Sequence, residues 1–279
     1  LAYNEKGEKQ IRSGIGIGNN YWDLMPFGGK DSYATLRYYG SLLVMAAIER
    51  EIREHPEWNI PLDPHALDSD ELLRHAAEIK EAGNRLFWND VTGRFTCGLD
   101  ADGKQHDYGM TFLNLEAVFY DFATSEHARE IMRWIVGERI VADDTSTGTD
   151  IYHWRFAPRS TTKRNVDYYF WAWSSPESIP WGGQVQDGGA VLGFSYHDLM
   201  ARLATLGPDD AWRRLRGILD WFGDVQAEGG YRPYYAKPGR GKLQGGGPPG
   251  GLGLDCEFLE SVLVPQVMLY GFLGLRPDA

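Results

Sequence analysis

Asn20-Tyr21-Trp22-Asp23 sets one carboxylate among aromatic rings, with glycines on both sides, inside the stretch from Gly14 to Asp31. Sugar chemistry needs such a group. An aromatic ring stacks on the flat apolar face of a pyranose, and a carboxyl group beside it serves a glycosidic oxygen. Burial against an indole disfavours the charged form of a carboxyl group, which suits a general acid. The competing structural reading is a Gly-rich turn leading to an Asp31 N-cap, with Tyr21 and Trp22 in the core. A partner carboxylate has three candidates. Glu228 stands beside Gly229 and Gly230, where the backbone can approach a ligand closely. Glu257 and Glu260 are three apart in a helix-like run, a spacing that puts both on a shared face. A helix N-terminus favours an ionised carboxylate, the state a general base requires. For Glu257 and Glu260 the competing reading is two capping acids with no chemistry.

Other clusters stand on loops. Thr149 to Arg155 holds Tyr152, His153 and Trp154 and reads as a wall of sugar-binding subsites, against an ordinary surface turn. Trp181, Gln184, Gln186 and Asp187 precede Gly188-Gly189. Amides and a carboxylate there can hold sugar hydroxyls, and Asp187 can also cap the following helix. The aromatic run from Asp167 to Trp173 reads as packing beneath the loops. The run Gly245 to Gly251 lacks the Gly-Lys-Ser/Thr ending of a phosphate loop and reads as a flexible loop that closes over a substrate. The seven histidines are scattered without ligand spacing, so no catalytic metal and no cofactor are expected. Structural calcium leaves too little trace in a sequence to be judged.

The elements that position these residues are helices. Asp31 to Glu54 carries Leu36, Tyr39, Leu43, Ala46, Ala47 and Ile48 at helical spacing and ends at His55-Pro56. Asp68-Ser-Asp-Glu71 is a capping signal for a helix to about Trp88. Turn signals at Thr92-Gly93 and Asp102-Gly103 predict a small hairpin, with no larger sheet. Further helices are expected at Met110 to Phe122, from a Ser125 cap to about Gly137, at Ala190 to Leu206, at Ala211 to Gln226 and at Asp255 to Leu273. Short turns alternate with long Gly- and aromatic-rich loops. That is the pattern of helical hairpins standing in a ring with the long loops gathered at one end.

Composition narrows the partners. A net charge of −11 without a basic block argues against nucleic acid and anionic membrane. No apolar run is long enough to span a bilayer. Cys97 and Cys256 form no disulfide framework.

The order of several motifs resembles the catalytic part of the six-hairpin, (α/α)6-toroid glycosidases, a group that includes trehalases and processing α-glucosidases. Asn20-Tyr-Trp-Asp23 resembles the segment that holds the general acid in that branch. Leu86-Phe-Trp-Asn-Asp-Val-Thr-Gly-Arg-Phe95 resembles a recurrent hairpin of the group. Trp181 to Gly189 resembles the opening of an inner helix, and Glu257 to Ser261 the start of the closing helix. The resemblance implies an all-α toroid in which residues 1–279 form one catalytic-domain segment. It implies an inverting hydrolase of a neutral, α-linked sugar, with Asp23 as acid. Glu260 is the preferred base by its position in the closing helix, and Glu228 the second choice. Tyr21, Trp22, Tyr152, Trp154, Trp181, Gln184, Gln186, Asp187 and Glu257 are then substrate-binding residues. About seven helices follow Asp23, the number from sixth to twelfth in the ring, so an earlier segment or a second chain is expected to complete it. The Glu-x-Tyr base segment of the trehalase branch is not matched, since the chain reads Ala227-Glu-Gly-Gly-Tyr231 there. Two alternatives belong to other classes. One is a polysaccharide lyase or sugar epimerase that uses Tyr152 and His153. The other is a helical domain that binds carbohydrate without turnover.

Overall fold

A computed structural model describes residues 30–61, 68–99, 103–164, 181–182, 185, 187–240 and 263–275. The fold is mainly helical. Helix α1 (Ser32–Glu54) starts at an Asp31 cap that accepts from the Ala34 amide at 3.0 Å. Helix α2 (Ser69–Phe87) opens with a full capping box. The Glu71 amide donates to Asp68 Oδ1, and the Asp68 amide donates back to Glu71 Oε2. The two helices pack side by side. Helices α3 (Thr111–Phe119), α4 (Ser125–Ile135), α5 (Phe194–Thr205) and α6 (Pro208–Ala227) follow, then a short α7 (Tyr231–Tyr235). Helix α8 (Leu263–Gln266) runs on as a π-helical turn through Phe272. Eight α-helices stand among the described residues, one more than the seven or so expected, the addition being the short α7.

Several boundaries differ from the sequence expectation. Thr124, not Ser125, caps α4, its hydroxyl accepting from the His127 amide. Helix α5 starts at Phe194 rather than Ala190. The Gly188-Gly189 backbone is held by Arg159 and Ser160, and the chain then makes tight turns whose amides at 194 and 195 bond back three residues. Helix α6 starts at Pro208 rather than Ala211. Proline suits a first turn, and Asp209 and Asp210 face the positive end of the helix dipole. In α1 the buried face is Leu36, Tyr39, Leu42 and Ala46, while Ile48 is exposed.

There is also more sheet than the single expected hairpin. The Thr92-Gly93 turn does join β2 (Trp88–Asn89) to β3 (Arg94–Phe95), with Gly93 at φ +66°. A second, three-stranded sheet has β4 (Gly98–Leu99) between β1 (Lys30–Asp31) and β5 (Gln105–His106). It ties the entrance of α1 to the segment that follows α2.

Helices α3 and α5 are buried on every side, over Thr111–Val118 and Phe194–Arg202 respectively. Helix α5 packs against α3, α4, α6 and α8 and forms the axis of the core. Gly83 lets α2 come close to Phe122, since an added Cβ would enter contact distance of that ring. Tyr39 and Phe95 hold Phe122 from its other sides, with centroids at 5.4 and 5.7 Å. Gly83→Ala gains about 1 kcal/mol of helix propensity but overpacks the core by about 1–3 kcal/mol. The expected net result is a lower urea midpoint at unchanged m-value. A midpoint at or above wild type would show that the ring can withdraw.

Candidate functional site

A cleft of about 480 Å3 opens between α1, α3, α5 and α8. The first turns of all four helices reach it, through Tyr33, Phe112, Phe194 and Leu263. Helices α2, α4 and α6 contribute nothing to its lining. Helices α1, α3 and α5 alternate in the chain, and α8 follows α5 after α6 and the five-residue α7. Its walls are aromatic, with Phe112 and Phe194 stacked at 4.4 Å.

One helical turn further along these helices three polar side chains meet, of which Arg37 and His197 line the cleft and Glu116 lies behind its lining. Arg37 follows Tyr33 by four residues, Glu116 follows Phe112 by four, and His197 follows Phe194 by three, spacings that share a helix face. Arg37 Nη2 donates to Glu116 Oε1 at 2.5 Å. The same guanidinium donates to the hydroxyls of Tyr33 and Tyr120 at 3.1–3.2 Å. His197 Nδ1 lies 3.7 Å from Glu116 Oε1. Glu116 Oε2 and His197 Nδ1 are buried with no hydrogen-bond partner among the described residues.

Burial dominates the electrostatics here. It pushes the Glu116 carboxyl up to about 8, against the opposing pull of Arg37. It pushes His197 down to about 3, helped by repulsion from Arg37. Both groups therefore favour their neutral forms, with opposite effects on stability. The Glu116 contribution is complete below its ordinary value of 4.5 and is lost as pH rises through about 8. The His197 contribution grows as pH rises from about 3 to its ordinary 6.5. Above pH 6.5 only Glu116 acts, and stability should fall by about 2 kcal/mol toward pH 8. Glu116→Gln keeps the neutral form, and Arg37, with 41% of its side chain exposed, stays solvated. Urea unfolding of this variant at pH 6.5 and 8 should show that decline removed. A decline as steep as in wild type would mean that Glu116 is ionised throughout.

The residues expected from sequence to form the site fall into three groups. Tyr21, Trp22, Asp23, Gln184, Gln186, Glu257 and Glu260 lie outside the described residues, as do the aromatic run 167–173 and the Gly-rich run 245–251. Tyr152, Trp154, Trp181 and Asp187 are described and belong to a shell built by the connection between α4 and α5. None of the four lines the cleft. The Tyr152 hydroxyl donates to Asp198 Oδ1 at 3.0 Å and accepts from Arg202 Nη2 at 2.7 Å. Desolvation, with the charge of Asp198, raises that hydroxyl well above an ordinary tyrosine, which makes it a poor base. Its neighbour His153 is lowered by desolvation and by Arg159. Trp154 is buried against Phe156 and Tyr235. Trp181 Nε1 donates to Ser146, and Arg159 lies over its ring at 5.5 Å. Asp187 accepts from Arg164 Nε at 3.1 Å and does not cap α5, whose N-cap is Gly193.

The third group is Glu228 alone. It is the C-cap residue of α6, with Lys237 at 2.7 Å and Arg240 at 3.4 Å, and it too is absent from the cleft lining. Arg37, Glu116 and His197 were not singled out from sequence. The signal for Glu116 was nonetheless there, as the only charge in the apolar run Thr111-Phe-Leu-Asn-Leu-Glu-Ala-Val-Phe119. Among the described residues no group of three or more His, Cys, Asp or Glu is placed to hold a metal ion. No described helix is long and apolar enough to cross a membrane.

Fold and cleft define a mainly helical protein with an aromatic cleft between α1, α3, α5 and α8. No protein-family model matches the chain, and no curated protein matches it.

Proposed function

We propose that this chain is the later part of an (α/α)6-toroid glycoside hydrolase acting with inversion on a neutral, α-linked sugar. The observation that carries the reading is the alternation of helices around the cleft. In a ring of helical hairpins every second helix is an inner one, and here α1, α3, α5 and α8 meet while α2, α4, α6 and the five-residue α7 stay outside, which is an alternation once α7 is counted with the loop after α6. The sequence motifs fit the same frame. Asp23 precedes α1, Gln184, Gln186 and Asp187 precede α5, and Glu257 and Glu260 precede α8. Each segment thus leads into the first turn of an inner helix.

In this reading Asp23 protonates the leaving oxygen and Glu260 activates water on the opposite face. Inversion requires the two carboxyl groups to stand roughly 6.5–9.5 Å apart. The reading also accounts for two exposed apolar stripes. One is Val44, Met45 and Ile48 on α1, and the other is Trp212, Leu219 and Phe222 on α6 with Leu269 and Leu273 near α8. Further helices of the same ring, from another segment or a second chain, would cover them. The test is a hydrolysis screen on aryl α-glycosides and α-linked disaccharides, with NMR of the first-formed anomer. An inverted product supports the reading. A retained anomer, an unsaturated product absorbing in the ultraviolet, or binding without turnover would replace it.

A further inference from the structure

Arg37 is the one residue in the cleft lining that carries a charge at neutral pH, and 41% of its side chain is exposed. A guanidinium has five N–H groups. Four of them are committed here. Nε and Nη2 donate to the Tyr33 hydroxyl, Nη1 donates to the Tyr120 hydroxyl, and Nη2 also donates to Glu116 Oε1. One N–H on Nη1 has no partner among the described residues. The Tyr120 hydroxyl accepts from Arg37, so its own proton is left to donate, and no described residue accepts it. Two donors therefore stand side by side in the lining, one on a cation and one on the hydroxyl that this cation orients. The charge points the same way. Glu116 is 0% exposed and lies behind the lining, and burial keeps its carboxyl neutral until pH rises through about 8. Below that pH no anion in the lining offsets Arg37. Burial also raises the Tyr33 and Tyr120 hydroxyls, so both stay protonated, and it keeps His197 uncharged. The remaining wall is apolar, with Phe112, Phe119, Val191, Phe194 and Leu263 around a volume in the range of small-molecule sites. Such a wall buries a flat apolar body and leaves its orientation to the donors at one end. An ionised carboxylate is acceptor-only and matches a pair of donors of which one is charged.

We propose that this cleft binds an aromatic carboxylate, with the carboxylate on Arg37 and Tyr120 and the ring against Phe112, Phe119 and Phe194. The proposal stands apart from the glycosidase reading, since it needs neither Asp23 nor Glu260. Glu116 enters it as a control on the cation. Once ionised, it becomes the partner of Arg37 and competes with the ligand, so affinity should fall as pH rises through about 8.

The experiment titrates the full chain by calorimetry with benzoate and 2-naphthoate. Benzamide serves as the uncharged counterpart, acetate as the carboxylate without a ring, and glucuronate as the carboxylate on a polar ring. At pH 6.5 benzoate or 2-naphthoate should bind at least about tenfold more tightly than any of the three controls. Tyr120→Phe, which removes one hydroxyl, should weaken that binding by about fivefold or more, and Arg37→Gln by about tenfold or more. Wild-type affinity should fall by about fivefold or more between pH 6.5 and 9, and Glu116→Gln should hold its affinity over the same range. The proposal is overturned if neither aromatic carboxylate binds at the highest concentration reached, if benzamide binds as well as benzoate, or if glucuronate binds more tightly than both. It is equally overturned if folded Arg37→Gln and Tyr120→Phe bind as wild type. A wild-type affinity that is level from pH 6.5 to 9 would mean that Glu116 is ionised throughout and would remove the unoffset cation. Should Arg37→Gln fail to fold, the ligand series on wild type and the Tyr120→Phe variant still decide. Hydrolysis of α-glycosides without binding of either aromatic carboxylate sinks this proposal and leaves the glycosidase reading standing. Binding of benzoate with no hydrolysis of any α-glycoside does the reverse.

Discussion

Asp23→Asn is expected to lower turnover of natural glycosides by about 10²–10⁴-fold, the usual size of a general-acid contribution. It should leave glycosyl fluorides largely unaffected, because fluoride departs with little protonation. Equal losses on both substrate types would assign Asp23 to binding or folding instead. The partner experiment decides the base. Glu260→Ala should abolish hydrolysis, and azide should restore a product of opposite anomeric configuration to the substrate, since the anion enters where water would. Glu228→Ala should retain near-normal turnover. The surroundings of Glu228 argue for that order. Lys237 and Arg240 engage its carboxylate at the C-terminal end of α6, and it stands outside the lining of the cleft. If Glu228→Ala is dead and Glu260→Ala is active, the two glutamates exchange roles.

The largest stability effect is expected from Arg94→Met. Arg94 is 1% exposed and lies over the Trp134 ring at 4.6 Å. Its Nε donates to Asp107 at 2.9 Å, and its Nη1 and Nη2 donate to Asp144 at 2.6 and 3.0 Å. Thr92 donates to Asp107 and Thr162 to Asp144, so both carboxylates are held in place when the cation is removed. Breaking a buried pair from one side costs about 3–5 kcal/mol, because the remaining charge has no counterion. Here two carboxylates would face each other. Urea unfolding at neutral pH should show the loss as a lower midpoint at unchanged m-value. Arg94→Lys should recover only part, since an ammonium cannot bridge two carboxylates in the fork geometry of arginine. A deficit below about 1 kcal/mol would be the value of a surface pair and would rule out the buried network as a support of the fold.

What the sequence determined by itself was local. The Asp31 cap, the Asp68–Glu71 capping box, the Thr92-Gly93 turn and the apolar spacing of α1 depend on residues a few positions apart, and each is formed where expected. Errors came where distant segments compete. Helix α5 starts late because Arg159 and Ser160 hold the glycines before it. The sheet of β1, β4 and β5 escaped notice because two-residue strands carry no periodicity, and their pairing joins positions 30 and 99. In α1 the apolar pattern was legible, but which side met the core was not, since Ile48 is as apolar as Leu42. The meeting of Arg37, Glu116 and His197 beside the cleft depended wholly on tertiary structure. Arg37, Glu116 and His197 stand on three helices, and no spacing along the chain relates them. Packing alone brings Arg37 into hydrogen-bonding reach of Glu116, sets His197 Nδ1 3.7 Å from the same carboxyl group, and removes the water that would otherwise keep Glu116 and His197 at their ordinary protonation.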